Sequence, residues 1–268
     1  MLRETIDVLF TKYAPGARAL GLAYEAAAIA ARYRRVGRNW EPHLTASRAT
    51  ILQGAEHCRK FDRALVIGAG GCFDIPVKEL AERFSEVILA DVAVSAEARR
   101  WERRSRGRVR AVAWDATGAL ATLARRQRAV TAAEAVSLFA DSEPGNPPCE
   151  EADLVVSANC VSQFGLIPAD RLAAAESEDE LATRCTHAAA ARHLIWLAAR
   201  PGIRVLISDI ARLDMAPDGS ELARRTIFDK LTLRPPDRTW RWAISPIPEL
   251  SREWHRVHDV GAWIDGSP

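Results

Sequence analysis

Lysine is nearly missing from this chain of 268 residues: four of its 37 basic side chains are lysine, which reads as compositional bias and not as function. An excess of one charge is missing too. Acids and bases balance to a net +2, which excludes a strongly cationic surface built to hold nucleic acid by charge alone. The five cysteines (Cys58, Cys72, Cys149, Cys160 and Cys185) include no C-x-x-C pair. Neither a disulfide framework nor a zinc knuckle is expected, and reduced thiols in a cytoplasm are. No apolar run approaches the ~20 residues of a membrane span, and the opening MLRETIDVLF lacks the apolar core of a signal peptide. A soluble, cytoplasmic protein without a metal or a membrane partner is the expectation. Apolar residues are plentiful, at 48%. They suffice for one large α/β domain with an appendage, or for two small domains.

The most regular pattern lies at residues 64–92, ALVIGAGGCFDIPVKELAERFSEVILADV. A short apolar run at 64–67 enters a cluster of Gly68, Gly70 and Gly71. Asp74 reads as the N-cap, and Pro76 as a first-turn residue, of a helix in which Val77, Leu80, Ala81 and Phe84 recur at helical spacing. A second apolar run, 87–90, ends in Asp91. Strand, glycine turn, helix, strand and carboxylate form the opening unit of a nucleotide-binding α/β fold. Glycines let a ligand approach the backbone, and a helix start favours polar or anionic groups. A carboxylate 21 positions after Gly70 suits a vicinal ribose diol. Two ligand classes share this arrangement, dinucleotides and S-adenosylmethionine. The dinucleotide fingerprint needs a third glycine at position 73 for close helix–strand packing, and Phe73 stands there.

On these residues the chain, from 62 to about 210, resembles the class I S-adenosylmethionine-dependent methyltransferases, with VIGAGG as the glycine loop and LADV as the ribose-binding strand end. The resemblance implies a three-layer Rossmann-like α/β sandwich with a mostly parallel, seven-stranded sheet and an N-terminal helical cap. It implies S-adenosylmethionine as cofactor, held by Gly68, Ala69, Gly70 and Gly71, by Asp91 and Val92 at the ribose, and by Asp115 and Ala116 of WDATG at the adenine. Asn159 would border both cofactor and acceptor. Val66 stands where the family often carries an acid, a departure shared with the spermidine-synthase-like branch, and Cys72 stands where many members have another glycine. Methyl transfer to a small-molecule acceptor is the implied reaction. A non-catalytic or aminopropyl-transferring member of the fold, and a nicotinamide-dependent oxidoreductase, are the alternatives.

Residues 1–60 read as helical, a cap or lid ahead of a cofactor-binding domain at 61–268. Within 17–35, Leu20, Leu22, Tyr24, Ala28 and Ile29 can supply a buried face. A break is expected at 37–42, with helix resuming at 45–58. As a lid this segment brings Trp40, His43 and Ser47 toward the site; as a packing appendage it does not. The arginine-rich helix at 95–106 surrounds Trp101 but interleaves Glu97 and Glu102, so it reads as a solvated face and not as an RNA contact. The third strand, 109–114, delivers Asp115, whose other reading is a helix cap, and 120–140 is helical. Asn146-Pro147-Pro148-Cys149 is similar to the N-P-P-Y motif of amino-methylating enzymes, but it precedes the fourth strand instead of following it and is rejected.

After that strand, Asn159 and Gln163 are the polar candidates to orient an acceptor, with His43 from the cap. Cys160 reads as a packed thiol, since no base partner can be assigned. A helix at 178–200 ends at Pro201-Gly202, with His187 and His193 on different faces; 203–210 is the fifth strand. Helix at 220–233 and strands at 240–244 and 254–264 close the chain. His255 and His258 point to opposite faces of the last strand, so no metal is assigned. The acceptor and the oligomeric state are left open.

Overall fold

The apolar run after the N-terminal segment becomes β1 (Arg63–Ile67), whose residues after Arg63 are buried on both faces. Strands covered on both faces read as continuous apolar runs, and the same holds for its neighbours. In the computed structural model, which describes residues 11–126, 130–166, 178–229, 231 and 233–266, β1 pairs in parallel with β2 (Glu86–Asp91) on one side and β4 (Leu154–Ala158) on the other. Outside these lie β3 (Val109–Ala113) and β5 (Ile203–Met215), again parallel. Strand β8 (His255–Asp265) runs antiparallel to β5, and β7 (Arg238–Ser245) antiparallel to β8. The seven-stranded path is β3-β2-β1-β4-β5-β8-β7, with β8 alone reversed. This is a Rossmann-like sheet whose order reverses between β1 and β4, where open α/β sheets bind ligands.

Six helices are described: α1 (Leu22–Glu56), α2 (Val77–Arg83), α3 (Ala96–Arg104), α4 (Leu120–Arg126), α5 (Ala132–Asp141) and α6 (Glu178–Ala198). Helices α1, α2 and α3 cover one face of the sheet, where Leu44, Ile51, Leu80 and Ala98 share a core with Val66, Leu89, Val156 and Val205. Ala190 and Leu197 of α6 pack on the other face against Leu65, Ile88 and Val155. The three layers follow from strands with alternate side chains to two covered faces.

Four local expectations are corrected. The break at 37–42 is not there: α1 runs through Gly37 and Pro42 without interruption. Its buried residues Trp40, His43, Leu44, Ser47, Ile51 and Ala55 recur every three to four positions, and burial of that stripe outweighs the one backbone hydrogen bond a proline forfeits. Toward the start of the same helix, Tyr24, Ala28 and Ile29 are exposed instead of buried. The helix expected at 220–233 is not found among the described residues either. Glu221–Thr226 is an eighth strand, β6, antiparallel to Ala211–Met215 of β5. Pairing of β5 with β4 ends at Ile207, so the rest of this 13-residue strand leaves an edge for β6 to satisfy. The expected single helix at 120–140 is the pair α4 and α5, the second opened by a capping box between Thr131 and Glu134.

Candidate functional site

The carboxyl ends of β1 to β4 open onto one cavity of about 250 Å³. Gly68, Ala69, Gly70 and Gly71 line it from the β1–α2 loop, Asp91 and Val92 from the end of β2, Asp115 and Ala116 from the end of β3, and Asn159 from the end of β4. The nine residues expected around a cofactor therefore stand around a single space, and Gln163 joins them.

The loop geometry explains its glycines. Gly68 has φ 78°, and a Cβ there would lie 2.5 Å from the Ala158 carbonyl oxygen. At Gly70, φ 46°, a Cβ would meet nothing nearer than the Gly68 oxygen at 3.8 Å, so the missing side chain leaves open space. Cys72 takes the left-handed backbone, φ 57°, that a glycine would take at that position. Asp91 ties the loop to β2: Gly70 N–H donates to its Oδ2 at 2.8 Å and Ala93 N–H to its Oδ1 at 3.2 Å. Burial pushes this carboxyl above its usual range against the pull of those donors. With Val92 as a further backbone donor, the carboxylate keeps a lone pair for a hydroxyl donor.

Asp115 is more fully engaged. Its Oδ1 accepts from Thr117 N–H (2.8 Å) and Oγ1 (2.6 Å), and its Oδ2 accepts from Leu120 N–H (3.0 Å) at the start of α4. It caps that helix, and one lone pair on Oδ2 is left toward a ligand.

Asn159 also sits in left-handed backbone, φ 51°, with its N–H donating to Ile207 O at 2.8 Å. Its Nδ2 donates to Asp74 Oδ2 at 2.6 Å, while its buried Oδ1 has no partner among the described residues. Gln163 Nε2 donates to the Asn159 carbonyl at 2.7 Å, bracing the turn. Asp74 is thus a site residue and not the N-cap expected of it. Helix α2 starts with Pro76 at the cap and no side-chain acceptor, and Asp74 lines the cavity. Acids suit a helix cap and a ligand site equally well, so the residue type did not separate the two.

His43 lies behind Asn159. Trp240 Nε1–H donates to His43 Nδ1 at 3.0 Å, and an indole N–H only donates, so the neutral imidazole carries its proton on Nε2. Burial lowers its pKa although Asp74 and Asp209 pull the other way. The ring stacks on Trp242 at 4.1 Å, and Nε2 lies 3.5 Å from Asn159 Nδ2. With its proton on Nε2, His43 has no lone pair free to act as a base there. Deeper still, Asp209 Oδ2 lies 2.9 Å from His258 Nδ1 and accepts from Ser162 Oγ at 3.1 Å. Burial alone would raise the Asp209 carboxyl, but His258 and Arg212 hold it below its usual range.

Of the remaining candidates, Trp40 and Ser47 lie outside the cavity. Trp40 donates to the Ile244 carbonyl at 3.0 Å and packs edge-on against Trp242. Ser47 is buried in the α1–sheet core, with no partner for its hydroxyl among the described residues. Cys160 lines the cavity, but burial pushes its thiol up to about 12, which suits a packed group and not a nucleophile. Among the described residues no group of three or more His, Cys, Asp or Glu side chains could hold a metal, and no helix is long and apolar enough to cross a membrane. The start of α1 forms a further wall, with Leu22, Ala26, Ile29 and Ala30 on the cavity. Tyr33 stacks on Phe73 at 3.8 Å, and Arg35 holds Glu249 through two hydrogen bonds of 2.8 and 2.7 Å.

No protein-family model matches the chain, and no curated protein does. Among solved structures it is similar to a Burkholderia thailandensis 1,6-didemethyltoxoflavin-N1-methyltransferase, with bound 1,6-didemethyltoxoflavin and S-adenosylhomocysteine. The identity is 17%, 90% of each chain is covered, and the TM-score is 0.39. Strand order and direction, and not that likeness, establish the fold.

Proposed function

We propose that this chain binds S-adenosylmethionine in the cavity at the ends of β1 to β4 and methylates a small-molecule acceptor there. The observation that carries the reading is Asp91, a carboxylate at the tip of β2 bonded to Gly70 and still open to hydroxyl donors, beside a glycine loop with room over it. Phe73, where a dinucleotide site needs glycine, disfavours the nicotinamide alternative; its ring is committed to stacking on Tyr33. When bound, the cofactor supplies an electrophilic methyl group: the acceptor's lone pair forms the bond to carbon, and the C–S pair stays on sulfur. The protein's part is alignment and exclusion of water. Gly68 to Gly71 would receive the cofactor, Asp91 would hold the ribose hydroxyls and Asp115 would accept from the adenine amino group. Of the cap expected at 1–60 on the domain at 61–268, residues 1–10 lie outside the described residues, and the start of α1 serves as the lid, since Leu22, Ala26 and Ile29 wall the cavity. Cysteines that are all free suit a cytoplasmic setting.

Calorimetry with S-adenosylhomocysteine tests this at one residue. Asp91→Ala removes charge-assisted hydrogen bonds worth ~1.5–3 kcal/mol, a loss of about 10- to 150-fold in affinity. Unchanged affinity in a folded Asp91→Ala protein refutes the ribose assignment.

A further inference from the structure

The charge around the cavity is one-sided. Glu25, Asp74, Asp91 and Asp115 line it, and among the described residues no lysine or arginine does. Arg48 reaches the Phe73 carbonyl next to Asp74, but it pairs with Glu41 and does not line the cavity. Asp91 and Asp115 engage both oxygens with backbone N–H groups. Asp74 differs: its Oδ2 takes Asn159 Nδ2, and its Oδ1 has no partner among the described residues. Beside it Asn159, 8% exposed, carries the unpartnered Oδ1. A buried acceptor without a donor is costly unless a ligand supplies one. Two open acceptors next to each other, one of them anionic and neither neutralised, fit a ligand that brings N–H donors and positive charge. Phe73, Trp114 and Phe164 line the same cavity and suit an apolar or aromatic body.

We propose that Asp74 and Asn159 form the acceptor subsite, and that the acceptor is an amine carried on an apolar or aromatic body. This rests on the methyltransferase reading above. The ammonium first gives one proton to solvent water, and its freed lone pair forms the bond to the methyl carbon as the C–S pair passes to sulfur. The same carboxylate then stabilises the positive charge that the nitrogen regains on methylation. A carboxylate or phosphate group at this subsite would face the Asp74 carboxylate and be repelled.

The test uses the full chain saturated with S-adenosylhomocysteine and three probes of one shape: 2-phenylethylamine, 2-phenylethanol and 3-phenylpropionate, each titrated by calorimetry. The amine should bind at least about 10-fold more tightly than the alcohol, and the carboxylate should not bind. Asp74→Asn, nearly the same shape, should abolish the preference for the amine while S-adenosylhomocysteine affinity stays within about 3-fold, which also reports that the variant is folded. An amine no better than the alcohol, or no binding of any probe up to about 10 mM, overturns the proposal. So does an Asp74→Asn protein that loses S-adenosylhomocysteine in step with the amine, because the carboxylate then holds the cofactor's own ammonium. Wild-type protein that fails to bind S-adenosylhomocysteine overturns the cofactor reading itself, a separate outcome.

Discussion

At His193 the fold keeps an imidazole neutral. Its Nε2 lies 2.9 Å from Ser157 Oγ, its ring stacks on Trp196, and burial brings its pKa down to about 4. An unfolded histidine titrates near 6.5, so between about pH 6.5 and 4 the unfolded chain binds the extra proton and stability rises with pH. Acidification across that window should remove about 3 kcal/mol through this group. Urea unfolding at stepped pH should show a shallower acid slope in His193→Gln than in the native chain, whatever the variant costs at pH 7. Parallel slopes contradict the assignment. Such partners were not legible in the sequence, since His193 and Ser157 are 36 positions apart and His43 and Asn159 are 116 apart. Gly68, Gly70, Asp91, Asp115 and Asn159 were legible because each sits at a strand end, and strand ends announce themselves as apolar runs that stop. Asp74 was not, being a residue type that caps helices as readily as it lines a site.

Helix α1 is the element that sequence periodicity described least well. Gly37 and Pro42 are local breakers, and only the sheet beneath them, by burying the stripe from Trp40 to Ala55, decides for one continuous helix. Gly54 marks how close that helix comes: a Cβ there would lie 2.3 Å from Val205 Cγ2 on β5. Gly54→Ala therefore sets a gain of roughly 1 kcal/mol in helix propensity against an overpacking cost of about 1–3 kcal/mol. We expect net destabilisation, with a lower urea midpoint at unchanged m-value; a raised midpoint means that α1 can shift away from β5 freely. The same competition explains β6. Its ELARRT sequence favours helix locally, but the overhanging edge of β5 offers pairing, and Arg224 spans Glu221 and Asp259 across the strands. Tertiary context of that kind leaves no trace in a window of ten residues.

For the whole molecule, the parallel order of the first five strands follows from the alternation of apolar runs with helical stretches, each crossover returning the chain to the same sheet. Its consequence is positional: the loops after β1 to β4 must meet at one edge, which is why residues from 68 to 163 share a cavity although no two of its walls are neighbours in sequence. The start of α1 completes that edge from outside the core. Whether this edge is built for S-adenosylmethionine, as proposed, is tested most directly by thermal unfolding with matched ligands. S-adenosylhomocysteine at about 100 times its Kd should add about 2.7 kcal/mol to the stability of the native chain, an upward shift in midpoint of about 5–10 °C. NADH and NADPH at the same concentration should leave the midpoint unmoved. A shift produced by either dinucleotide and not by S-adenosylhomocysteine would contradict the account.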